Sequence, residues 1–112
     1  MASNTFKQLG QARENSTSAV SVYSPPASTE TVIKSILIAN TSGADAIIRM
    51  FVDDDGTTYD ESTTIAWDVN IPADTVWDRE VTICMNNSAG NFAYRSSVAN
   101  ALTITLFGLE QA

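Results

Sequence analysis

An all-β fold, two antiparallel sheets packed face to face, is predicted by three features of this sequence. Apolar residues recur with period 2 in seven segments from Ala19 onward, as they do in strands with one buried face. Turn-forming clusters separate the segments: SPP, NTSGAD, DDDGTTYDES, PAD and NNSAG. No stretch holds a 3.6-residue period long enough for a helix to cover a sheet. The expected architecture is a β-sandwich, jelly-roll or immunoglobulin-like, over residues 19–112, with residues 1–18 as an extended N-terminal arm.

Taken in order, the arm is rich in Ser, Asn, Gln and Thr and shows neither period, so it is expected to have little structure beyond a short helical turn from Thr5 to Gln11, with Gly10 near its end. Phe6 and Leu9 are its apolar exceptions and, with Arg13, its candidate partner-binding residues. AVSVY is the first strand, and Pro25 and Pro26 end it because proline cannot donate to a ladder. TVIKSILIAN follows, then a turn in which Gly43 is available for positive φ, then AIIRMFVD. In STTIAWDVNIP, Ile65, Trp67, Val69 and Ile71 alternate cleanly and are expected to face inward together. TVWDREVTICM sets Trp77, Val81, Ile83 and Met85 against Asp78, Glu80 and Thr82, with Arg79 a charged exception on the apolar side. NFAYRSS and ALTITLFGLE complete the series, the last setting Leu102, Ile104 and Leu106 against Thr103, Thr105 and Phe107.

At 112 residues the chain suits one domain. A core of that size gains from a partner surface. The N-terminal segment has no apolar stretch of the kind a secretory signal needs, and no run approaches a membrane span, so synthesis in a cytoplasm without export and no membrane contact are expected. Cys84 is the single cysteine, which rules out an intrachain disulfide and an antibody-type cysteine pair; it is read as a small buried hydrophobe. The net charge of −7 is concentrated in residues 35–80, where ten acids face Arg49 and Arg79, a balance of −8. Such a surface repels nucleic acid and favours an electropositive docking partner.

Catalytic chemistry finds little support. With no histidine in the chain, a serine or cysteine nucleophile lacks its usual base. Glycine-rich phosphate loops are absent, and the abundant carboxylates are too many for any one pair to point to glycoside hydrolysis. No cofactor is expected. The acidic loop supplies weak calcium candidates in Asp53, Asp55 and Asp60, hard oxygen ligands on a loop bent at Gly56, but Phe51 stands where an EF-hand needs its first Asp. Trp67 and Trp77 read as core, whereas Tyr59 is the aromatic residue best placed in sequence to meet a glycan.

A run of motifs, KQLGQ, VYSPP, ETVIKSILIANTSGADAIIRMFV, TTIAWDVNIPADT and ANALTITLFGLE, resembles in order and spacing the small virion structural proteins of tailed bacteriophages, of the head decoration or cement type. The likeness runs from Lys7 to Glu110, and its specificity lies in the order of motifs more than in any one of them. VYSPP departs from that family's usual "VP.GT" step, and the DDDG loop is more acidic, so loop-borne properties are not carried over. The resemblance implies a β-sandwich in the virion, assembled in the host cytoplasm and attached to the major capsid protein or other virion proteins. It implies a homo-oligomer, a trimer being the expected form. The alternatives are a tail or neck adaptor and a glycan-binding module.

Overall fold

Every one of the seven expected strands forms, and an eighth precedes them. The computed structural model describes residues 4–111, with side chains from Phe6 onward; the first three residues of the expected arm and Ala112 lie outside the described residues. The strands are β1 (Asn4–Arg13), β2 (Val20–Tyr23), β3 (Glu30–Asn40), β4 (Ala46–Asp53), β5 (Thr64–Ile71), β6 (Val76–Met85), β7 (Asn91–Ser96) and β8 (Leu102–Gln111). They make two four-stranded sheets, sheet A in the order β1-β8-β3-β6 and sheet B in the order β2-β7-β4-β5. All pairings are antiparallel: β1 with β8, β2 with β7, β3 with β6 and β4 with β5, closed by β3 with β8 and β4 with β7. This is one long hairpin rolled into two sheets, the jelly-roll.

Between the sheets lie Ile33, Ile36, Ile38, Ile48, Met50, Ile71, Phe92, Leu102, Ile104 and Leu106, all buried, each contributing about 1.5–3 kcal/mol by leaving water. The alternation expected of β8 holds, with Leu102, Ile104 and Leu106 inward and Phe107 exposed. Tyr94 is buried in the same core, and its hydroxyl accepts from the Glu14 backbone N–H at 2.8 Å. Glu14 O in turn accepts from Asn100 N, so the segment after β1 is stitched to the β7–β8 turn.

Residues 4–13 correct the expectation of a little-structured arm with a helical turn. They form an edge strand paired with β8 from Asn4↔Gln111 to Arg13↔Thr103. An edge strand needs few inward apolar side chains, because ladder hydrogen bonds hold it. Leu9 and Ala12 pack against the core, with a bulge between Gln8 and Gly10 adjusting the register. Gly10 passes so near β2 that a Cβ there would sit 2.5 Å from Val22 O.

Turn geometry also departs from expectation. Gly43 does not take positive φ; Ser28, Asp68, Asp74 and Asn100 do. The β3–β4 turn is held instead by buried Asn40, whose Nδ2 donates to Ala44 O and Ile71 O while its Oδ1 accepts from Ser42. Those bonds satisfy the buried amide, which makes left-handed glycine unnecessary.

Candidate docking surface

No deep cleft organises this molecule, so the surfaces that can act are the outer faces of the sheets. Bulges decide what those faces show. In β3 the register slips between Ile33 and Ser35, opposite both β6 and β8. Before the slip Thr31 and Ile33 point inward; after it Ile36 and Ile38 do. Lys34, at the slip, is exposed. In β5 the irregularity lies at Asp68, with φ 55°, a conformation that Asp tolerates better than most residues.

That second bulge overturns the reading of β5. Val69 and Ile71 face the core as expected, but Ile65 and Trp67 are 48% and 39% exposed. Alternation alone would place all four on one side; the bulge reverses the first two. Trp67 is therefore corrected from core to surface, while Trp77 does pack against the core with the Arg79 guanidinium 5.0 Å from its ring centre.

On the outside of sheet B, Trp67 meets Phe51 edge-on at 6.3 Å, and Tyr59 from the loop covers Phe51 at 6.1 Å. Arg49 lies 3.7 Å above the Trp67 ring and donates from Nε to Asp68 at 2.6 Å. That hydrogen bond lowers the proton affinity of Asp68 and raises that of Arg49. Arg95, opposite Arg49 in the ladder, donates to Thr17 O. One ring face of Trp67 is thus occupied by its own chain.

The three residues singled out in the N-terminal segment go different ways. Phe6 projects outward and is 77% exposed. Leu9 turns into the core at the β1 bulge, and Arg13 donates to Asn100 O at 2.8 Å. Phe6, Leu109, Val32 and Cys84 stand in one cross-strand row over all four strands of sheet A. Cys84 is exposed there, a correction explained by its parity: Ile83 and Met85 take the inward positions on either side of it. Beside this row, Phe6, Lys7, Gln8, Lys34, Phe107 and Gly108 line a shallow depression.

Beneath the depression a polar chain fastens β1 to the body. Lys7 Nζ lies 2.6 Å from Glu110 Oε1. The Tyr23 hydroxyl donates to the other oxygen of Glu110 and so accepts from Thr31 Oγ1. Hydrogen bonds from Lys7 and then Tyr23 hold the Glu110 carboxyl below its ordinary range, whereas burial, with Glu110 next, pushes the Tyr23 phenol well up.

The calcium candidates are engaged locally. Asp53 is buried and accepts from the Thr58 and Asp55 backbone N–H groups, which lower its proton affinity. Asp60 accepts from Ser62 N and Oγ. Among the described residues no three carboxylates or thiols are grouped to hold a metal ion.

No family model matches this chain, and no curated protein does. Solved structures do. A chain of the T13 IBDV viral particle aligns over 99% of this chain with a TM-score of 0.57 at 11% identity. This chain spans 30% of that one. A Tobacco streak virus coat protein aligns over 99% of this chain and 84% of its own length, with a TM-score of 0.49 at 9% identity. The likeness to the IBDV chain is one of fold: the two-sheet sandwich is shared with a viral particle protein.

Proposed function

We propose that this chain is a non-catalytic virion structural protein of the capsid decoration (cement) type, which binds assembled major capsid subunits and bridges them. The strand order β1-β8-β3-β6 over β2-β7-β4-β5 carries the reading, because this double-sheet jelly-roll serves recurrently in viral capsids. The motif order from Lys7 to Glu110 supports the tailed-phage setting. Phe6 is the residue of the N-terminal segment that would seat against a neighbouring subunit, since buried aromatic anchors dominate such contacts. The protein would act as a homo-oligomer, a trimer for preference, within virions assembled in the host cytoplasm.

Co-sedimentation of the purified chain with empty capsids, together with densitometry of virions, tests this. Decoration requires binding and on the order of hundreds of copies per particle, as repeated capsid positions demand. About a dozen copies would instead indicate a tail or neck adaptor at one symmetric station. Absence from virions would overturn both. A glycan-binding reading has one observation in its favour, the exposed Trp67 on a scaffold that lectins also use. Glycan-array binding that is lost in Trp67→Ser would put that reading first.

A further inference from the structure

The two outer faces of the sandwich carry opposite charge at the same end of the molecule. On sheet A, Lys7 and Lys34, the chain's two lysines, share the depression of about 320 Å³ with Phe6 and Phe107. On sheet B, the loop 54–63 exposes Asp54, Asp55, Asp60 and Glu61 next to exposed Ile65 and Trp67. Asp53 and Asp54 raise the proton affinity of Asp55, so the loop's carboxylates repel one another and a cation nearby would relieve them.

Register places both features at one height along the strands. Asn4 and Glu30 each lie opposite Gln111, which brings together the starts of β1 and β3 and the end of β8. Asp53 lies opposite Asn91 and Tyr23 opposite Phe92, which does the same for the ends of β4 and β2 and the start of β7. The Tyr23 hydroxyl, bonded to Thr31 and Glu110, ties these two ends across the sandwich.

We propose that these surfaces bind each other between copies of this chain: the lysine and phenylalanine depression of one copy receives the acidic loop and Trp67 edge of the next. Aromatic meets apolar and cation meets carboxylate. The two surfaces differ, so the contact is heterologous, and such contacts make either a closed ring or an open filament. Equal height on opposite faces favours the ring, because turning about an axis parallel to the strands repeats the contact without a rise. The inference deepens the homo-oligomer part of the proposed function and rests on that reading only for the existence of an oligomer.

Sedimentation equilibrium of the full chain, free of other virion proteins, tests it. The wild type is expected to show the mass of more than one chain. Lys34→Glu, and separately Asp54→Lys with Glu61→Lys, are each expected to raise the dissociation constant about tenfold or more, as for charge pairs at interfaces. Combining all three in one chain restores opposite charges across every contact and is expected to recover most of the loss. Unchanged melting temperatures verify that the variants fold, and Phe6→Ser supplies an uncharged arm expected to weaken association likewise. Monomeric wild type overturns the inference together with the oligomer reading. An oligomer indifferent to the charge reversals, or losses that simply add in the combined variant, overturns the inference alone.

Discussion

Ile65 and Ile71 lie on the same strand, six positions apart, and an alternating pattern makes them equivalent. They are not: Ile71 is fully buried and Ile65 is half exposed. The same contrast separates Ile33 from Lys34 on β3, where the slip turns a lysine outward and reverses the parity of everything after it. On sheet B the bulge reveals an aromatic ring; on sheet A the slip reveals a cation. The interior barely registers either, since apolar residues fill the core on both sides of each irregularity. Bulges therefore shape the outer faces, where partners dock, while the hydrophobic pattern shapes the inside.

The severest way to break the inner arrangement is Gly108→Ala on β8. A Cβ there would collide with Val32 O on β3 and crowd Leu9 Cδ1 and Ile33 Cα, and backbone cannot rotate away as a side chain does. Overpacking of this kind costs about 3 kcal/mol or more, read as a collapse of the denaturation midpoint or loss of folded protein. The comparison itself is tested by a pair of substitutions. Ile71→Ala is expected to destabilise by about 2–5 kcal/mol through the cavity it leaves. Ile65→Ala is expected to change stability by no more than about 0.5–1 kcal/mol in the same urea titration. Equal losses would mean that the strand has no bulge at Asp68.

A smaller effect is expected from acid. Glu110 is held below its ordinary range in the folded protein, so its contribution is complete above the unfolded glutamate value and is lost as pH falls through the folded one. Melting temperature should accordingly decline from about pH 5 downward. Glu110→Gln should begin lower at neutral pH and show a shallower decline over that window. The least change in stability is expected for Phe6→Asp, within about 0.5 kcal/mol because the ring is exposed. Its readout is binding: capsid co-sedimentation should fall at least tenfold if Phe6 seats in a partner pocket. Undiminished binding would remove Phe6 from the docking surface.

Most of the fold was legible in the sequence. Seven strands follow from alternation and turn residues, and the inward set of β8 follows from Leu102, Ile104 and Leu106. Less of the candidate surface was legible. Phe6 stands out in a polar segment, but nothing local to Leu9 or Arg13 says that one enters the core and the other ties to Asn100. Asp68 is the one hint that β5 bends, a residue type that tolerates positive φ, and it looks the same as any exposed acid until its backbone is seen.

By itself the sequence determined the class of fold, because burial with period 2 depends on neighbouring residues along one strand. It also determined the uneven charge and the lack of a nucleophile's usual base. Only the tertiary structure decided the jelly-roll order, the recruitment of residues 4–13 as an edge strand, and which apolar residues face solvent. Those depend on ladder hydrogen bonds between segments about a hundred positions apart, Asn4 with Gln111 at the extreme. Backbone groups are alike in every residue, so no side-chain pattern records which strand they will meet.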